Sequence, residues 1–162
     1  MEHYRRQMTL SASPAVVYQA LATQQGVRNW WTRNCEVAEV VGGRAVFRFD
    51  TCWKVMRIAQ LLPQQEVVWQ CIDANLDVAG LTTGNEWVGT RIVFRLAPAG
   101  GGKTRLAFEH QGLTPDLQCF GICQDGWHLF LGSLQAYVDT GSGQPFGAAA
   151  ATDAATEPMA HA

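Results

Sequence analysis

Between residues 120 and 138 apolar positions return at steps of three and four: Phe120, Cys123, Trp127, Phe130, Leu131, Leu134, Tyr137 and Val138. The spacing predicts an α-helix with one apolar face about six turns long, which must lie against a large apolar surface. Thr114-Pro115-Asp116 offers a start signal ahead of it: a capping side chain, a proline at the first helical position and an early negative charge. Gly141 offers the stop. Gly121 and Gly126 interrupt the pattern, and each costs about 1 kcal/mol against alanine in a helix interior. Either the helix breaks there or the glycines admit a close neighbour. A break near Gly126 is the favoured reading, with 116–123 as a separate short turn and 133–140 as the surest helical part.

Upstream the grammar differs. Residues 4–10 alternate as a strand, and Ser13 then caps a helix with Pro14 at its first position and Val16, Val17, Ala20 and Leu21 at helical spacing. Residues 24–31 read as a second short helix ending in Trp30-Trp31. From position 34 the period becomes two. Residues 35–41 and 44–50 flank a Gly42-Gly43 turn, with Ala45, Phe47 and Phe49 on one face. Residues 52–62 and 66–72 flank Pro63-Gln64-Gln65, and 73–85, rich in Gly, Asp, Asn and Thr, read as a loop. Strands at 86–96 and 103–110 pair across a Pro-Ala-Gly-Gly-Gly turn. Thr90, Ile92, Phe94 and Leu96 share the inward face of the first; Thr104, Leu106, Phe108 and His110 share that of the second. Consecutive hairpin-linked strands beside segregated helices predict an α+β fold with an antiparallel sheet.

At 162 residues the chain has the length of one domain. Past Gly143 it becomes an alanine-rich segment without an amphipathic face, so 1–143 are expected to form the domain and 144–162 a disordered tail. A net charge of -2 without any basic cluster argues against nucleic-acid binding. The N-terminus has no apolar signal region and no run of eighteen apolar residues occurs, so a cytoplasmic protein that does not engage a membrane is expected. The five cysteines, Cys35, Cys52, Cys71, Cys119 and Cys123, are odd in number and lack a CxxC pair. They read as buried thiols; Cys119 and Cys123, four apart, could supply two metal ligands with His128 or His110 nearby in sequence, but a zinc site shows tighter spacing and all four ligands, and no metal or cofactor is expected.

The joint order of several short motifs resembles the START-like (SRPBCC, Bet v 1-like) superfamily, and within it bacterial homologues of the C-terminal domain of the Hsp90 ATPase activator. The motifs are Ser13-Pro14-Ala15-Val16-Val17-Tyr18-Gln19-Ala20-Leu21 before Trp30-Trp31, Val41-Gly42-Gly43, Trp87-Val88-Gly89-Thr90, His110-Gln111-Gly112-Leu113, Gly126-Trp127, Ser133-Leu134 and 140–145. They span residues 4–145. The resemblance implies a helix-grip fold: a curved antiparallel sheet wrapped around a long C-terminal helix, two short helices after the first strand, and a hydrophobic cavity between sheet and helix. Lipid carriers, hormone receptors, plant ligand binders, polyketide aromatase/cyclases and co-chaperone domains share that fold, so it cannot choose among them.

Six tryptophans are spread over the elements that should line the sheet–helix interface. Core packing is the commoner role for any one of them; the set is expected to wall a partly open aromatic pocket. The expected ligand-binding set is Trp30, Phe47, Phe49, Trp53, Trp69, Trp87, Phe94, Phe108, His110, Phe120, Cys123 and Trp127. His110 is either a buried histidine satisfied by a hydrogen bond or an acid–base group. No nucleophile elbow and no phosphate loop is present. The leading expectation is therefore a binder of a small hydrophobic ligand. A cyclase-type enzyme, with His110 as proton shuttle and Arg48 or Glu86 orienting a carbonyl, is the alternative, as is an Hsp90 co-chaperone. A homodimer through strand edges is open to this fold.

Overall fold

The computed structural model describes residues 2–147. β1 (Tyr4–Leu10) is followed by α1 (Pro14–Ala22) and α2 (Gln24–Arg28), then β2 (Cys35–Val37), β3 (Arg44–Phe49), β4 (Cys52–Leu62), β5 (Glu66–Asn75), β6 (Arg91–Gly100), β7 (Lys103–Gln111) and α3 (Phe120–Thr140). The strands make one antiparallel sheet in the order β1-β7-β6-β5-β4-β3-β2, so the first strand closes against the last. Irregular register in β4 at Val55/Met56 and Ile58/Gln60 bends the middle of the sheet. α3 lies in the resulting concavity, as the helix-grip reading expects.

Local signals explain most boundaries. Ser13 Oγ accepts from the Val16 amide and Pro14 opens α1. Thr23 caps α2 through the Gly26 amide. Gly26 also lets α2 sit directly on α1: a Cβ there would lie 2.3 Å from the Gln19 carbonyl oxygen. Pro63 and Gln64 turn β4 into β5, with Gln64 at φ 65° and the Gln65 amide on the Leu62 carbonyl. Asp50-Thr51 joins β3 to β4 as a two-residue turn, which pairs Phe49 with Cys52 and Phe47 with Lys54.

Four expectations change. β2 is shorter than 35–41, and residues 86–90 form turns before β6. α3 is unbroken through Gly126, and it begins at Phe120. Thr114 and Leu117 instead close a turn ahead of it, and the Thr114 hydroxyl bonds the Asp116 carboxylate rather than capping a helix. The break predicted within the helix thus falls before it. Beyond Gly143, Phe146 bridges Thr32, exchanges backbone hydrogen bonds with Trp31 and Arg33, and packs its ring on Phe49. The rest of the expected tail, 148–162, lies outside the described residues.

Candidate functional site

α3 lacks a side-chain cap of its own at Cys119. Glu86, from the loop after β5, supplies the acceptors: its carboxylate takes the amides of Gln118 at 3.0 Å and Cys119 at 2.9 Å. A carboxylate at this helix end is favoured by the exposed N–H groups and by the helix dipole. The same loop carries Trp87 inward, where it is buried.

Five indoles then stack through the interior. Trp31 lies parallel to Trp30, Trp69 and Trp127 at ring separations of 5.8, 5.7 and 5.2 Å, and Trp87 stacks on Trp127 at 6.0 Å. Phe47, Phe49, Phe94 and Phe108 pack edgewise or tilted against these rings from the sheet. Trp31, Trp87, Cys123, Gly126, Trp127 and Phe130 meet in the interior with no room for a water molecule between them. The pocket expected to be partly open is, in this state, nearly filled by its own walls.

Polar groups link these walls. The Trp127 indole donates to His110 Nδ1 at 2.9 Å, and His110 Nε2 lies 2.9 Å from the Thr90 hydroxyl. That hydroxyl donates its one proton to the Trp87 carbonyl at 2.6 Å, so Nε2 must carry the hydrogen. His110 is therefore neutral, fully buried and engaged at both nitrogens. Burial, followed by the charges of Lys54 and His3, pushes its pKa down to about 3. The Trp87 indole in turn donates to Cys123 Sγ at 3.1 Å.

Lys54 is the residue that the sequence reading missed. Its side chain is fully buried, with Nζ 4.2 Å from the Phe49 ring centre, 4.6 Å from that of Trp87 and 6.0 Å from that of Trp31. Desolvation lowers its pKa to about 8, against the pull of Cys123, Cys52, Cys71 and Cys119, which favours the charge. Those thiols respond unequally. Cys123 is drawn toward thiolate, chiefly by a hydrogen bond from Cys119 and then by Lys54 and Trp87, whereas Cys119, which gives that bond, keeps its proton. Burial pushes Cys71 up to about 12.

The structure brings together Trp30, Phe47, Phe49, Trp69, Trp87, Phe94, Phe108, His110, Cys123 and Trp127 of the expected set. Phe120 is half-buried at the start of α3. Trp53 stands apart: it pairs with Arg48 and Asn75 on the outer face of β4, because neighbouring residues in a strand point to opposite sides and Lys54 takes the inner one. Arg48 is also outward, on Asn34 and Glu36. His128 is exposed. A hollow not expected from the residue pattern, about 650 Å³ and open to the surface, runs between α1, α2 and the end of α3 past Val16, Gln19, Tyr137 and Val138. Among the described residues no cluster of three or more metal-ligating side chains forms, and no helix is long and apolar enough to cross a membrane.

A seven-stranded antiparallel sheet holding a C-terminal helix over an aromatic interior places the chain in the START-like, helix-grip class. The chain belongs to the family described as activator of Hsp90 ATPase homolog 1-like protein, which matches residues 11–139. Among solved structures it is similar to the Aha1 dimer from Colwellia psychrerythraea, at 29% identity and a TM-score of 0.73 over 88% of this chain and 100% of that one. Protein MLL2253 from Mesorhizobium loti shares the fold at 20% identity and a TM-score of 0.70, over 85% of this chain and 97% of that one. CalU16 from Micromonospora echinospora does so at 16% identity and a TM-score of 0.61, over 86% and 75% respectively. No curated protein matches the chain by sequence.

Proposed function

We propose that the protein encloses a small apolar or aromatic ligand between the sheet and α3. The observation that carries this reading is the aromatic wall of Trp31, Trp87 and Trp127, which faces α3 at Gly126, where the helix has no side chain. Glycine at that mid-helix position costs about 1 kcal/mol against alanine. A helix backbone left bare there lets a guest approach α3 closely. A ligand enters by displacing side chains, and Trp87, carried by a loop, is the wall most able to yield. The free, reduced thiols fit a cytoplasmic location.

Titration with the neutral probe N-phenylnaphthylamine tests the proposal. A saturable rise in probe emission with quenching of tryptophan is expected, at one probe per chain. A folded protein that gives no saturable response refutes it.

A second reading, a homodimeric Hsp90 co-chaperone, rests on the family and on the likeness to the Aha1 dimer. It predicts a rise in Hsp90 ATPase rate on addition of the protein and a dimer in sedimentation; an unchanged rate at saturation removes it. Catalysis through His110 finds no support in the geometry, since both ring nitrogens are engaged and Glu86 and Arg48 are held elsewhere.

A further inference from the structure

The outer face of the sheet takes no part in the aromatic interior, and it gathers charges that the sequence scatters. Ala45, Met56, Ile58, Trp69, Cys71 and Ile92 turn inward, so Arg44, Arg57, Gln70 and Arg91 beside them turn outward. Register then aligns the outward set: Arg44 stands opposite Arg57, Arg57 opposite Gln70, and Gln70 opposite Arg91. Three arginines thus share one row across β3, β4, β5 and β6, about 14 Å long at the usual strand spacing. Among the described residues no carboxylate pairs with any of the three; the arginine ion pairs on this face belong to Arg48 and Arg95. Arg57 lends an N–H to Gln70 Oε1 at 2.9 Å. Arg44 and Arg57 are exposed.

Like charges directly opposite one another on a sheet destabilise it, so the Arg44–Arg57 register carries a cost that folding does not explain. An anion shared between them removes the repulsion, and a guanidinium fork matches a carboxylate with two N–H groups. The surroundings limit what that anion can be. Glu66 and Glu109 border the row on one side, and Glu36 and Asp73 stand on the other. A nucleic acid or an anionic bilayer laid over the face would meet these carboxylates, whereas a short segment confined to the row would not. Half-buried Val46 and Val55 and the exposed Ile72 add apolar surface along its edge.

We propose that the outer face of the sheet docks a short acidic segment of a partner protein. Its carboxylates lie on Arg44, Arg57 and Arg91 and its apolar side chains on Val46, Val55 and Ile72; about four extended residues span the row. The interior plays no part, so the proposal stands independently of ligand binding there.

Calorimetric titration of the full chain with a short peptide in which glutamate alternates with leucine, and with its glutamine counterpart, decides it. The acidic peptide should bind one to a chain, about tenfold tighter or more than the glutamine form, and the preference should shrink as salt is raised. Arg57→Gln should lose about tenfold in affinity for the acidic peptide without a fall in thermal midpoint, because the repulsion with Arg44 goes with the charge. Arg44→Gln should act likewise, so the test does not depend on one variant. Arg105→Gln, on the same face of the sheet but off the row, should bind as the wild type does. Equal affinity for the two peptides overturns the proposal, as does an equal loss in Arg105→Gln or no loss in the row variants. Tighter, row-dependent binding of a single-stranded oligothymidylate or of phosphatidylserine vesicles also overturns it. The wild-type peptide pair gives its answer before any variant is made.

Discussion

Replacing Lys54 by methionine should make the protein more stable at neutral pH. The amine is fully buried, and its pKa falls from 10.5 to about 8 because the folded interior disfavours the ammonium. At about 1.4 kcal/mol per pKa unit, that drop corresponds to about 3 kcal/mol of folding free energy lost wherever both states are protonated. Methionine fills a similar volume without a charge, and its thioether packs well on the rings of Phe49 and Trp87. The pH dependence has a definite sign. Between about pH 8 and pH 10.5 the unfolded chain still binds the Lys54 proton and the folded chain does not, so wild-type stability gains from this group as pH rises. The advantage of Lys54→Met is therefore full below about pH 8 and shrinks toward pH 10.5. Cys71, whose pKa burial raises to about 12, works against folding at high pH, but it does so in both proteins and largely cancels in the difference. Urea unfolding followed by tryptophan emission, from about pH 7 to about pH 10, measures this directly, provided the two proteins show the same m-value. A stability difference that does not change with pH refutes the reasoning, as does a variant less stable than wild type at pH 7.

Glu86→Ala should cost about 1 kcal/mol in the same assay, since the amides of Gln118 and Cys119 lose their carboxylate; hydrogen exchange at the start of α3 should quicken while the centre of the sheet is unaffected. The His110 ring resonances should stay fixed between about pH 5 and pH 8, and wild-type stability should fall as pH drops from about 6.5 toward 3, because the unfolded imidazole takes a proton that the folded one refuses. His110→Phe should destabilise by about 1–3 kcal/mol through the stranded Trp127 N–H. Gly26→Ala, which gains helix propensity in isolation, should instead destabilise and lower the thermal midpoint, because its methyl would meet the Gln19 carbonyl at 2.3 Å.

The sheet, its hairpins and the long helix are legible in the chain because alternation, turn residues and helical spacing agree with one another there. The segment ahead of α3 is not. Thr114-Pro115-Asp116 has the composition of a helix start, but the acceptor that fixes the start at Phe120 is Glu86, more than thirty residues earlier in sequence. No local pattern can report such a cap. The parity of β4 was within reach. Both faces of Cys52–Leu62 carry apolar residues, and Trp53 draws the eye to the wrong one. The two-residue turn at Asp50-Thr51 places Phe49 opposite Cys52 and Phe47 opposite Lys54, so inward phenylalanines oblige the lysine to face inward too. The His110 network was half visible: the strand face pointed the ring inward, but the indole that occupies Nδ1 comes from α3.

The stacked indoles also form an optical unit. With neighbouring rings separated by 5.2 to 6.0 Å, excitation absorbed by Trp30, Trp69 or Trp87 can pass through Trp31 and Trp127 before it is emitted. Emission from the interior is thus shared, and a quencher seated against any one of these rings dims the whole set. The Trp87–Cys123 contact is a natural place for such a sink, because a sulfur atom lies 3.1 Å from the indole nitrogen. Trp53, half-exposed on the far side of β4, emits at longer wavelength, so the two faces of the sheet can be followed as two colours in one experiment.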